Sequence, residues 1–122
     1  MLPTITGMAH FVHEGQRIAY TIHGGGRKVV VLLPGLLTSQ RIHETLAESL
    51  ADQGVRVVTM DPLGHGESDK PLEMWRYSMR SYAKQTIGLL DHLEVKSAVV
   101  GGASLGANTT LEVASAAPER LK

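Results

Sequence analysis

The segment Lys28-Val29-Val30-Val31-Leu32-Leu33 is apolar without alternation and is cut off by Pro34-Gly35. A strand with one wet face alternates polar and apolar side chains, whereas an unbroken apolar run is buried on both faces and belongs at the centre of a covered sheet. Val55 to Met60 is a second β-branched strand and Ser97 to Gly101 a third. Helical patterns separate them. Gln40 to Gln53 carries Ile42, Leu46 and Leu50 in one stripe, with Ser39 as its N-cap and Gly54 as its stop. Tyr77 to Leu93 places Met79, Tyr82, Ala83, Thr86, Ile87, Leu90 and Leu93 on or near one face, and a third helix runs from Leu105 to Ala117 before Pro118. Ahead of all these, Met8 to His13 and Arg17 to His23 read as a hairpin turning at Glu14-Gly15, with Ile18, Tyr20 and Ile22 sharing a face. Two hairpin strands followed by strand–helix alternation predict an α/β fold: a mostly parallel sheet with an N-terminal antiparallel hairpin and helices on both faces.

Bulk properties narrow the function. The 122 residues make one domain or part of one, with 12 basic and 12 acidic side chains and no long charge run. That balance gives no electrostatic footprint for nucleic acid or an anionic membrane. Cysteine is absent, which removes disulfides, thiolate metal sites and a cysteine nucleophile. Met1 to Thr6 lacks the basic and apolar regions of a leader, and the longest apolar run, Val29 to Leu33, cannot span a bilayer, so the expectation is a cytoplasmic protein that binds neither nucleic acid nor membrane. The histidines His10, His13, His23, His43 and His92 show no metal-ligand spacing, and their expected roles are structural. No Gly-x-Gly-x-x-Gly follows a strand, and no Lys-Ser/Thr follows the glycines at 101–106, so neither a dinucleotide nor a phosphate loop is expected. No metal and no cofactor are predicted.

Ligands of open α/β sheets sit at the carboxyl ends of the strands. Three unusual stretches fall there: Pro34-Gly35-Leu36, the loop from Asp61 to Pro71, and Gly102-Ala103-Ser104-Leu105-Gly106. The last is Gly-x-Ser-x-Gly between a strand and a helix. Such a turn strains the serine and lifts its hydroxyl above the sheet, while the small flanking residues let strand and helix approach. The first helical residue, Leu105, turns a free N–H towards the serine, half of an oxyanion site. Asp61 and Ser68 are expected to fix their loop through hydrogen bonds to backbone. His65 is expected to pack locally or face solvent, and Trp75 to pack in the ordinary way.

Together, Leu33-Pro34-Gly35-Leu36-Leu37, Asp61-Pro62-Leu63-Gly64-His65-Gly66-Glu67-Ser68, Leu89-Leu90-Asp91-His92-Leu93, the serine elbow and Pro118-Glu119-Arg120 resemble the α/β-hydrolase superfamily, in its serine-nucleophile branch. Nearly the whole chain takes part, but it matches only the N-terminal half of that fold: residues 1–122 read as a partial domain ending after the elbow helix. The resemblance implies that Ser104 is the nucleophile, that the N–H groups of Leu36 and Leu105 form the oxyanion hole, and that Gly35, Gly102, Gly106 and Asp61 support the elbow and its loops. It implies a small ester-like substrate attacked through an acyl-enzyme. Pro34 stands where the family usually has histidine, and the serine argues against the dehalogenases and typical epoxide hydrolases of the superfamily, which use aspartate. Lactonases, thioesterases, carbon–carbon bond hydrolases, cofactor-free haloperoxidases and acyltransferases remain open.

The family places its acid and histidine after the serine. Beyond Ser104 this sequence has no histidine and no aspartate, only Glu112 and Glu119. The expectation is therefore a chain inactive alone. The alternative is a non-catalytic, truncated or binding remnant that pairs with another chain through the apolar edge of the elbow strand.

Overall fold

The computed structural model describes residues 5–122. The first part of the segment read above as lacking a leader lies outside them. Strands β1 (Ile5–His13), β2 (Gln16–His23), β3 (Val29–Leu33), β4 (Arg56–Met60) and β5 (Val99–Gly102) form one sheet in the order β1-β2-β4-β3-β5. The hairpin is antiparallel, with Phe11 opposite Ile18 and His13 opposite Gln16, and it joins β4 antiparallel, Tyr20 facing Met60. Parallel pairing holds the rest: Val31 lies between Val58 of β4 and Val100 of β5. The sheet is thus mixed, and the carboxyl ends of β3, β4 and β5 share one edge.

Helices α1 (Glu44–Asp52), α2 (Met79–His92) and α3 (Leu105–Ala116) cover both faces. The period of two along each strand divides the core. Val29, Val31 and Leu33 of β3 and Val58 and Met60 of β4 point to one face, where they pack with Ile18, Tyr20, Leu89, Leu90 and Leu105. Leu32 and Val57 point to the other, where Ala47 of α1 closes on them. Phe11 and Tyr20 pack around His92, which stacks on Phe11 with ring centroids 5.4 Å apart and lies 3.2 Å from the Tyr20 hydroxyl through Nε2. The hairpin is thereby fastened to α2.

Two sequence expectations are corrected. The stripe expected on the first helix meets the sheet only at Leu50: Ile42 is 51 % and Leu46 49 % exposed, and Ala47 makes the fully buried contact. Residues Gln40–His43 wind as a 3-10 turn before α1 begins. A 3-10 turn advances faster around the axis than an α-helix, so the phase assigned to Ile42 is lost. Trp75 also does not pack: it is 74 % exposed, with the Arg76 guanidinium 4.5 Å above its ring. Among the described residues no helix is long and apolar enough to cross a membrane.

Candidate active site

At the end of β5 the chain reverses sharply into α3. Ser104 takes φ 54° and ψ −110° at the N-cap position of α3. A side chain there carries a strain of about 1–3 kcal/mol. An ordinary N-cap serine accepts a hydrogen bond from its own helix, but Ser104 makes no such bond and its side chain is exposed. The turn is enforced from below. A Cβ on either Gly102 or Gly106 would run into the Leu33 carbonyl group, and Gly102 also lies against Gly106. Only glycine at both positions lets β5, β3 and α3 meet this closely. His43 secures the same carbonyl, its Nε2–H donating to the Leu33 oxygen at 3.1 Å, and burial holds its pKa below the usual histidine value.

Residues 35–38 form a turn beside the serine. The Thr38 N–H and hydroxyl both donate to the Gly35 carbonyl, at 3.2 and 2.6 Å, with Leu37 at φ 62° and 88 % exposed. A Cβ on Gly35 would sit 3.7 Å from the Ser104 Cβ and 3.6 Å from the Ala103 carbonyl oxygen. That is ordinary contact, so a Cβ at position 35 meets no steric bar. The same distances place the Leu36 turn against the elbow. Among the described residues, neither the Leu36 nor the Leu105 N–H has an acceptor in the hydrogen-bond network.

Asp61, at the end of β4, is 1 % exposed and organises two loops at once. Its carboxylate accepts from the Glu67 N–H at 3.0 Å, and its carbonyl accepts the Ser68 hydroxyl at 2.5 Å. The Ser68 oxygen in turn accepts the Ala19 N–H at 2.8 Å, so the loop is tied to β2. These are the side-chain-to-backbone bonds expected of Asp61 and Ser68. Sequence reasoning missed Gln40. Its backbone N–H donates to Asp61 Oδ1 at 2.7 Å and its side-chain amide to Oδ2 at 3.0 Å, while its Oε1 accepts the Thr59 hydroxyl at 2.7 Å. A glutamine opening an amphipathic segment reads as a surface residue; its one signal was its place directly after the N-cap Ser39.

Two further histidines are buried in the scaffold. His65 is buried, its Nδ1–H donating to the Leu63 carbonyl at 3.1 Å and its ring edge-on to Tyr82. His23 is buried, and its Nε2 lies 3.5 Å from the Thr59 hydroxyl. Burial lowers the His23 pKa, and the Glu48 and Glu44 carboxylates partly oppose that. Among the described residues no group of three or more His, Cys, Asp and Glu side chains is placed to hold a metal ion.

Comparison with known proteins converges on this architecture. The family model for the alpha/beta hydrolase fold matches residues 28–122. A putative non-heme haloperoxidase of Mycobacterium phage D29 is 29 % identical over 109 residues, covering 88 % of this chain and 38 % of its own. The crystal structure of the epoxide hydrolase VrEH1 from Vigna radiata superposes with a TM-score of 0.91 at 22 % identity, over 98 % of this chain and 38 % of its own. Est816, described as an N-acyl homoserine lactone degrading enzyme, superposes with a TM-score of 0.86 at 30 % identity, over 93 % and 42 %. The chain spans about two-fifths of the length of the curated relatives it matches. With a family model that covers the parallel strands, all three helices and the serine turn, the chain belongs to the alpha/beta hydrolase fold family.

Proposed function

We propose that Ser104 is the nucleophile of a hydrolase acting on an ester-like carbonyl, with the N–H groups of Leu105 and Leu36 as its oxyanion hole. The observation that carries this reading is the strained, exposed Ser104, whose hydroxyl takes no part in capping the helix it precedes. Strain of this kind persists where the surroundings over-determine it, and here they do, through Gly102, Gly106 and the Leu33 carbonyl. Est816, the 30 % identical neighbour, is described as degrading an N-acyl homoserine lactone, and a lactone is a cyclic ester.

In the proposed reaction, Ser104 Oγ bonds to the carbonyl carbon while its proton passes to a base. The carbonyl oxygen takes up the electron pair and is held by the two N–H donors, an effect worth about 3–4 kcal/mol for a well-placed donor. Collapse expels the alcohol, which takes the proton back from the base. Water then adds to the acyl carbon, and a second collapse frees the carboxylic acid and returns the proton to Ser104. A serine hydroxyl is a weak nucleophile without that base, and among the described residues no histidine is hydrogen-bonded to Ser104: His43 Nε2 meets the Leu33 carbonyl, His65 Nδ1 the Leu63 carbonyl and His92 Nε2 the Tyr20 hydroxyl. Residues 1–122 alone are therefore expected to be inactive.

The test uses the full-length polypeptide that carries this chain, a fluorophosphonate probe and a short-chain aryl ester. Labelling mapped to Ser104, with turnover lost in Ser104→Ala, supports the assignment. A folded protein that hydrolyses the ester while Ser104→Ala retains full turnover, or one that leaves Ser104 unlabelled, overturns it.

A further inference from the structure

We propose that Gln40 is a positioning residue for the oxyanion hole: by gripping Asp61 it fixes the loop that carries Leu36 against the loop that follows β4. The proposal rests on the roles assigned to Ser104 and Leu36 above.

Gln40 is 5 %, Thr59 1 % and Asp61 1 % exposed, and their side-chain polar atoms are paired within the protein. The hydrogen-bond directions are forced. A carboxylate only accepts, so the Gln40 amide must present Nε2–H to Asp61 Oδ2. That turns its Oε1 towards Thr59, whose hydroxyl must then donate. The Thr59 oxygen is left as the acceptor facing His23 Nε2. The backbone N–H of Gln40 takes the other carboxylate oxygen, so a single residue holds both. Hydrogen bonds to an ionised, buried acceptor are among the stronger ones in proteins.

Sequence distance transmits the grip. The turn at residues 35–38 is closed by two hydrogen bonds to the Gly35 carbonyl, and the Ser39 hydroxyl oxygen accepts the Arg41 N–H at 3.3 Å to start the 3-10 turn. Gln40 follows at once, leaving no slack between the Leu36 N–H and the Asp61 carboxylate. The same Oδ2 accepts the Glu67 N–H, so one carboxylate registers both loops at the carboxyl edge of the sheet. A displacement of about 1 Å at a donor is enough to cost a large factor in rate.

The test compares Gln40→Met and Gln40→Glu with wild type in the full-length polypeptide, reading fluorophosphonate labelling of Ser104 alongside thermal unfolding. Gln40→Met keeps the shape and removes the donors; a folded variant is expected to label at least about tenfold more slowly. Gln40→Glu supplies an internal check. When ionised, the introduced carboxyl repels Asp61; when protonated, it can donate to Asp61 as the amide did. The ratio of its labelling rate to wild type should therefore be low near about pH 8 and recover towards about pH 5.5. A flat ratio, or a folded Gln40→Met with wild-type labelling, overturns the proposal. If Gln40→Met does not fold, the pH series decides. If wild-type Ser104 is not labelled at all, the nucleophile reading fails separately, and hydrogen exchange decides this one. The amides of Thr38 and Ser68 should then exchange faster together in Gln40→Glu near about pH 8, and unchanged exchange at both overturns it.

Discussion

Ser104 shows a stability cost accepted at one residue. Its positive φ is comfortable for glycine and strained for serine. Ser104→Gly should therefore raise stability by about 1 kcal/mol, relief of strain exceeding the added freedom of the unfolded chain. Ser104→Ala, which keeps a Cβ, should leave it nearly unchanged. Urea unfolding of the three proteins checks this, and equal midpoints for the glycine and alanine variants would refute the strain. Beneath the serine, Gly106→Ala drives a methyl into the Leu33 carbonyl group and should cost about 3 kcal/mol or more. Gly101→Ala, where nothing lies within 4 Å, is the control and should be near neutral. The serine and its two glycines were legible in the sequence because their constraint is local: a strand, a turn and a helix within a few residues. Gln40 was not, because its value depends on Asp61, which the fold alone brings to it.

At the scale of elements, β3, β4 and β5 were legible because burial on both faces writes itself as an apolar run. The first helix was harder to read. A 3-10 turn precedes it where the periodicity alone asks for α-helix, and Gln40 in that turn is bonded to Asp61 across the fold. The elements also carry a pH dependence. His23, where β2 faces α1, and His43, in the 3-10 turn, both have pKa values lowered chiefly by burial. In the unfolded chain they protonate near the ordinary histidine pKa of about 6.5, whereas the folded protein resists their charge. Unfolded protein thus binds more protons in this window, and the stabilising contribution is full above it and lost as pH falls through the folded values. The urea midpoint should drop between about pH 7.5 and about pH 5.5, and His23→Gln should make that drop shallower. A drop of the same size in the variant would assign the acid sensitivity elsewhere.

For the whole molecule, the outer side of β5 is the consequential surface. Among the described residues β5 closes one end of the sheet order, and its first residue is only half covered, Val99 being 49 % exposed. Just ahead of β5, a parallel bridge joins Leu121 to Ala98, where the Ala98 N–H donates to the Arg120 carbonyl and the Lys122 N–H to the Ala98 carbonyl, at 2.9 and 3.0 Å. An apolar strand with an open row of N–H and C=O groups is a template for another strand. The elbow is built on this strand, so anything that pairs with β5 also steadies the turn that carries Ser104. Residues 1–122, prepared by themselves, should accordingly self-associate with rising concentration in sedimentation velocity. Val99→Lys sets a charge on the open edge and should shift the distribution towards monomer, leaving the far-ultraviolet circular dichroism unchanged. Association undiminished by that change would mean that it runs through other exposed apolar groups, of which the Leu36–Leu37 turn beside the serine is the next to substitute.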